Sequence, residues 1–196
     1  MPGLRQAVLN RTPEPNFMRK TLAALLAAFA AATAGAATQM EELAQTLDNS
    51  QFSERVEKLM TNGRFAQALE LADIGIKRNS KNAQLVFMKS VALENLGRTS
   101  EAAEVLRQLI RSYPEIPEPY NNLAVIEAGM GNLEGAKSLL SKALQINPDF
   151  ALARKNLGDV YLALAIESYE AAAPELPKNN VLQSRLKVLR RLTSKN

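Results

Sequence analysis

The sequence lacks the residue types that many enzymes use for chemistry. Its 196 residues include no cysteine, no histidine and no tryptophan, and aromatic residues make up only 5% of the chain. Without cysteine and histidine there is no thiolate nucleophile, no disulfide, no zinc site built on sulfur or imidazole, and no imidazole general base. We therefore predict that the protein is not an enzyme, and we expect no catalytic residues, no cofactor and no metal site.

One glycine-rich stretch could be taken for a phosphate-binding loop. Gly129, Gly131 and Gly135 are spaced one residue away from the dinucleotide-binding pattern, and they join two predicted helices instead of following a strand. A phosphate loop needs a strand, a turn and a helix to aim its backbone amides at the ligand. No Walker lysine follows these glycines. We interpret them as part of a turn between two packed helices.

The chain near its start has the pattern of a secretory signal peptide. From Met18 the sequence MRKTLAALLAAFAAATAGAA has a basic beginning, an apolar run over residues 22–34 and a small-x-small site at residues 34–36. The run is shorter than the roughly 20 residues that a membrane-spanning helix needs. We therefore predict a leader over residues 1–36, cleaved near Ala36-Ala37, and an exported, periplasmic mature protein.

Residues 1–17 contain three prolines and no amphipathic pattern. Two interpretations stay open for them: an over-extended start, or an extension of the basic region of the leader.

Charge is distributed unevenly along the rest of the chain. Residues 37–175 contain 14 basic and 19 acidic groups, whereas residues 176–196 contain six basic groups and no acidic one. A nucleic-acid-binding protein would be expected to have a basic stripe along its body. The pattern therefore predicts no nucleic-acid partner and at most peripheral contact with a membrane.

The sequence repeats with a period of 34 residues. Three residue types keep this register. Units begin at residues 49, 83, 117 and 151. We number the places within each unit from 1 at these residues. Each of the first three units contains two amphipathic segments around a glycine, which can end a helix in the left-handed conformation. We expect small residues at places 8 and 20 to let the paired helices approach closely. The repeat positions are Gly63, Gly97 and Gly131, Ala68, Ala102 and Ala136, Pro114 and Pro148, and Gly158 at place 8 of the fourth unit.

These units resemble the tetratricopeptide repeat, a 34-residue helix-turn-helix. The third unit, YNNLAVIEAGMGNLEGAKSLLSKALQINP, keeps the family's residues at most signature places and departs at Glu127, where tyrosine is usual. The resemblance implies an all-α, right-handed α-solenoid with three full units. With its leader, the chain is similar to a small exported repeat protein of a Gram-negative-type bacterium.

The fourth unit departs from the repeat. It lacks the glycine turn, and its apolar stripe continues without a change of phase, so we predict one long helix from about Leu152 to Ala173. Asn180 is expected to cap a final basic helix that covers the end of the stack. The predicted organisation is a leader over 1–36, a capping helix over 37–48, the solenoid over 49–173, and a C-terminal capping helix over 178–193.

The resemblance also implies a binding groove. In this family, places 2, 5, 6, 9, 12 and 13 of each first helix line a concave surface that binds peptides. Transferred to this chain, that surface includes Phe87, Met88, Val91, Glu118, Asn121, Asn122, Val125, Lys155, Asn156 and Asp159. The alternative is that the asparagines only bond neighbouring helices and that Phe87 belongs to the core.

Some grooves of this family clamp a terminal carboxylate with lysine, arginine and asparagine. The corresponding places in this chain hold Ser53, Glu57, Glu118 and Asn122, which supply no cation. We therefore do not expect recognition of an acidic peptide terminus.

Two functions remain open at this point. The first is a non-catalytic adaptor or scaffold of the cell envelope, which binds a peptide or helix of another protein in the groove. The second is a structural or assembly factor of an envelope complex that docks through its basic C-terminal helix.

Overall fold

The computed structural model describes residues 39–193, which fold into nine helices and contain no strand. The predicted all-α repeat architecture is confirmed. The described part of α1 covers residues 39–45. The others are α2 Phe52–Thr61, α3 Phe65–Arg78, α4 Ala83–Asn95, α5 Thr99–Ser112, α6 Pro117–Gly129, α7 Leu133–Ile146, α8 Ala151–Ala172 and α9 Asn180–Thr193. The predicted leader lies outside the described residues, and the predicted domain limits stay a prediction.

The same glycine turn joins the two helices of each of the first three units. Gly63, Gly97 and Gly131 have φ values of 70°, 73° and 84°, a conformation that a side chain would strain. At the first turn, the amide of Gly63 donates to the carbonyl of Met60, and the amide of Arg64 donates to the carbonyl of Leu59. This bond pair satisfies the last carbonyls of the helix in the Schellman arrangement. The other two turns repeat it, so three helix pairs have the same geometry.

Small residues lie where the helices of a pair meet. Ala68, Ala102 and Ala136, at place 20 of their units, are completely buried. Two other residues, Ser90 and Ala124, occupy place 8 of the second and third units and are also buried. A larger side chain at these contacts would force the helices apart, because interiors are packed without spare volume.

The apolar interior is divided into two clusters along the stack. The N-terminal cluster extends from Met40 in α1 to Ile126 in α6. The C-terminal cluster begins at Tyr120 in α6 and ends at Val160 in α8. Helix α6 contributes to both, so the third unit couples the two halves of the molecule.

The fourth unit is a single helix, as predicted. Helix α8 is 22 residues long and passes without interruption through Ala165, which occupies place 15, where the other units have the turn glycine. No second helix of this unit folds back against the first half of α8. The close-packing role predicted for Gly158 is therefore wrong: Gly158 is exposed, and a Cβ atom placed on it would meet nothing within 4 Å.

Helix α9 packs against α8 through Leu182 and Leu186, which are both buried. Its N-terminal cap is Asn179, whose side-chain oxygen accepts a hydrogen bond from the amide of Leu182 at 3.0 Å. The predicted cap, Asn180, is wrong by one residue and is instead the first residue of the helix. At the other end of the stack, α1 buries Met40 and Ala44 against the N-terminal cluster.

None of the helices within residues 39–193 is both long enough and apolar enough to cross a membrane.

Candidate peptide groove

A pocket of about 280 Å³ lies between α6 and α8, the first helices of the third and fourth units. Its floor is apolar and includes Ala124 and Leu140, while Val125 is exposed at the edge. The other edge is polar and consists of the α8 residues Lys155, Asn156 and Asp159. An apolar floor with a few polar groups at the rim is the usual composition of a site that binds organic side chains. We refer to this site as the α6–α8 pocket.

Three asparagines connect the two walls next to this pocket. The side-chain amide of Asn156 in α8 donates to Asn121 Oδ1 in α6 at 2.9 Å, and the amide of Asn121 donates to Asn122 Oδ1 at 3.1 Å. Asn121 is almost fully buried, so leaving its polar atoms unbonded would be costly. The asparagines therefore bond neighbouring helices, which is the alternative that the sequence left open for them. Each of Asn122 and Asn156 retains part of its hydrogen-bonding capacity, because an amide side chain has two donor hydrogens and an acceptor oxygen.

Two charges form the outer edge of the pocket. Lys155 Nζ lies 2.6 Å from Asp159 Oδ2, one turn further along α8. Both side chains are more than half exposed, and exposed pairs of this kind contribute little to stability. They place one donor group and one acceptor group at the edge of the pocket.

The other predicted groove residues lie outside this pocket. Phe87 and Met88 in α4 are partly buried and pack against the N-terminal cluster, so the core interpretation of Phe87 holds in part. Val91 is partly buried in the same helix, and Glu118 is exposed near the start of α6. The structure thus brings together the asparagines and the α8 residues, but it does not bring the α4 residues into the α6–α8 pocket.

Sequence reasoning did not assign four of the residues that line the pocket to the groove: Ala124, Ala128, Leu140 and Val160. Ala128 occupies place 12, which the repeat pattern assigns to the groove. Leu140 lies on the second helix of its unit and lines the pocket together with the small residues Ala124 and Ala128 of the first helix. Ala128 could have been found from its place in the repeat. Leu140 could have been found only from the small size of Ala124 and Ala128 beside it.

Glu127, the departure from the repeat signature, has a structural role beside this site. Its carboxylate accepts one bond from Asn132 Nδ2 and one from Arg107 Nη2, both at 2.9 Å, and its side chain is only 15% exposed. The hydrogen bond from Asn132, reinforced by that from Arg107, lowers the pKa of Glu127. Asn132 also caps α7 by accepting a bond from the amide of Gly135. One carboxylate thus joins α5, α6 and the turn before α7.

The part of the chain that the structure describes contains no group of three or more acidic residues arranged to hold a metal ion.

Comparison with known proteins finds the repeat family in the part of the chain that forms the three helix pairs. Tetratricopeptide repeat profiles match residues 54–117 and residues 117–150. The chain contains tetratricopeptide repeats. The matched residues cover the three helix pairs with the glycine turn and stop where α8 begins. A curated relative, Protein FlbA of Caulobacter vibrioides, is 32% identical over 95 residues, which are 45% of this chain and 16% of that protein. This chain therefore matches only a small part of that relative.

Two solved structures have the same fold. The first such domain of Spaghetti (RPAP3), bound to the HSP90 peptide SRMEEVD, aligns with a TM-score of 0.56 at 19% identity and covers 61% of this chain and 97% of that one. The crystal structure of MamA aligns with a TM-score of 0.54 at 20% identity and covers 73% of this chain and 81% of that one. At these identities the likeness extends to the fold alone.

Proposed function

We propose that this protein is a non-catalytic adaptor of the cell envelope that binds a peptide or helix of another protein in its concave groove. The observation that carries the proposal is the α6–α8 pocket, whose apolar floor lies beside partly available asparagine side chains. The envelope location rests on the leader pattern of residues 18–36.

The size of the pocket favours a side chain of a peptide over a cofactor or metabolite. Its volume of about 280 Å³ lies just below the range for small-molecule sites, roughly 300–1,000 Å³. One apolar side chain of a partner can occupy the floor, while the partner's backbone bonds to Asn122 and Asn156. The peptide bound by the Spaghetti domain supports a peptide ligand for this fold.

The chemistry of the pocket favours an internal segment of the partner. The places at which the family clamps a terminal carboxylate hold Ser53, Glu57, Glu118 and Asn122 in this chain. Lys155, the nearest cation, is already paired with Asp159. An apolar anchor, and not a terminal carboxylate, is therefore the expected main determinant of binding.

A crosslinking experiment in living cells tests this proposal. A photoreactive phenylalanine analogue would replace Val125, which is 44% exposed at the edge of the pocket, and in a matched control it would replace Leu96, which is 39% exposed at the end of α4. The captured segment would then be synthesised and titrated against the wild type, Val125→Glu and Leu96→Glu. We expect capture at position 125 alone, and at least tenfold weaker binding for Val125→Glu only. Equal capture at both positions, or unchanged binding by Val125→Glu, would reject the pocket as the site.

A further inference from the structure

The first half of α8 has an uncovered face where the other units have a second helix. At place 8 the preceding residues Val56, Ser90 and Ala124 are buried, and at place 11 Leu59 and Leu93 are buried. The fourth-unit residues at these places are Gly158, which is exposed, and Tyr161, which is 54% exposed. The second helix of each complete unit provides this cover, and α8 has none of its own.

This face continues along α8 into a groove. Arg154, Gly158, Tyr161, Ala165 and Tyr169 follow one another at steps of three or four residues, so they lie on one side of the helix. We call these five residues the open face. Ala165 and Tyr169 also line a groove of about 340 Å³ between α8 and α9. The α9 side of this groove contributes Ser184, Arg185, Val188 and Leu189.

Exposed apolar side chains are concentrated at this end of the molecule. Among the described residues, nine large apolar side chains are exposed, and six of them lie on α8, on α9 or in their connection: Leu152, Tyr161, Leu176, Val181, Val188 and Leu192. Of these six, Tyr161 belongs to the open face and Val188 lines the groove. Single exposed apolar residues need no explanation, but a concentration of them marks an interaction surface.

The charged side chains of the open face and of the groove lining are Arg154 and Arg185, while the nearby carboxylate of Glu170 is paired with Arg190 of α9. Arg154 lies at one end of it and donates to the carbonyl of Pro148. Arg185 lies at the groove, where its guanidinium donates to the hydroxyl of Tyr169 at 3.3 Å. The open face contains no carboxylate, and neither does α9. Charge complementarity therefore favours an occupant with acidic side chains along its edge.

We propose that the open face binds an amphipathic helix with an acidic edge, supplied by a partner protein, which takes the position of the missing second helix of the fourth unit. The helix would contact α8 closely at Gly158, where no Cβ atom obstructs it. A concave groove fits a helix better than it fits the flat surface of a membrane. The site uses a different face of α8 from the α6–α8 pocket and does not depend on the function proposed for that pocket.

The molecule itself supplies the probe for a test. Helix α7 covers place 8 of the third unit, so a peptide with the sequence of Leu133–Ile146 has the required apolar face. The acidic probe has the changes Lys137→Glu and Lys142→Glu, and the basic probe has the change Glu134→Lys. Both peptides would be capped at their ends, labelled with a fluorophore and titrated by anisotropy against the full chain at low salt.

Two glycine variants of the protein distinguish the open face from other surfaces. Gly158→Gln fills the contact with the bound helix and favours folding of α8, because glycine is a poor helix former. Gly129→Gln is the matched control, since Gly129 also has open space around it but lies at the end of α6. We expect the acidic probe to bind the wild type at least tenfold more tightly than the basic probe. We expect Gly158→Gln to weaken acidic-probe binding at least tenfold, and Gly129→Gln and Val125→Glu to leave it unchanged.

Several results would overturn the proposal. They are binding of neither probe at millimolar concentration, equal binding of both probes, and unchanged binding by Gly158→Gln. Sedimentation of the wild type, but not of Gly158→Gln, with vesicles of phosphatidylglycerol would assign the face to a membrane instead. A dimer seen by light scattering and lost in Gly158→Gln would assign it to a second copy.

Discussion

The third and fourth units begin with the same kind of helix and then differ completely. In the third, α6 ends at Gly129, the chain turns at Gly131 and α7 returns along α6. In the fourth, α8 continues through Ala165, the residue at the same place as Gly131. An alanine at a positive φ costs roughly 1 kcal/mol or more, whereas continuing the helix retains its backbone bonds. The residue at place 15 therefore distinguishes the two units. Glycine there favours a closed helix pair, and alanine favours a long helix with an uncovered side.

The largest expected difference in stability between matched variants concerns place 11. Leu93 is almost fully buried in the second unit, whereas Tyr161 at the same place of the fourth unit is 54% exposed. We expect Leu93→Ala to lower the free energy of unfolding by about 3 kcal/mol, and Tyr161→Ala to lower it by less than about 0.5 kcal/mol. Urea denaturation followed by circular dichroism measures both. Similar losses for the two variants would mean that α8 is covered in the free protein.

Place 8 gives a second matched pair. Ala124 is completely buried between α6 and its partners, whereas Gly158 faces open space. We expect Ala124→Leu to destabilise the protein by about 2 kcal/mol through overpacking, and Gly158→Leu to stabilise it by up to about 1 kcal/mol through helix propensity. The shift in the urea midpoint should therefore have opposite signs, and a loss for Gly158→Leu would contradict the comparison.

The turn itself is tested by the two neighbouring glycines. Gly131 has a φ of 84°, but Gly129 lies at the end of α6 with no positive φ and open space around it. We expect Gly131→Ala to lower the free energy of unfolding by about 1 kcal/mol and Gly129→Ala to leave it unchanged or slightly raised. Thermal unfolding of both variants measures this. Equal effects would show that the left-handed turn does not determine the end of α6.

The smallest effect is a pH dependence at Glu127. Bonds from Asn132 and Arg107 lower the pKa of Glu127 in the folded protein. The contribution of ionised Glu127 to the free energy of unfolding is therefore fully present above the ordinary glutamate pKa of about 4.3. It is lost as the pH falls through the lower pKa of the folded protein. We expect the wild type to lose about 1 kcal/mol more than Glu127→Gln between pH 5 and pH 3. The exposed Glu115→Gln serves as the control and should follow the wild type, whereas a parallel pH profile for Glu127→Gln would contradict this assignment.

The sequence was sufficient to predict the repeat architecture because each complete unit uses the same residues for its turn and for its close helix contact. Gly63, Gly97 and Gly131 share one turn, and three repetitions of a turn and a buried alanine define helix pairs without any knowledge of distant contacts. The long α8 could be predicted as well, since its apolar stripe has no break. The open space at Gly158 could not be predicted, because it depends on whether a second helix packs against α8, and that is a property of the tertiary structure.

The candidate site was predictable only in part. Place numbers located Asn121, Asn156 and the other α8 residues, but they could not show that two asparagines bond each other across the helices. Nor could they show that Phe87 faces the N-terminal cluster or that Leu140 reaches the floor of the pocket. These outcomes depend on rotamers and on the spacing between helices, which a one-dimensional pattern does not contain.

The bond between Asn121 and Asn156 has a consequence for kinetics. It joins α6 to α8 in the structure without a ligand, so the peptide binding that we propose would need no opening or closing step of the pocket. Association with a segment that fits would then be limited by encounter and orientation, at a rate proportional to ligand concentration with no plateau, and differences among ligands would appear in how long each one stays bound.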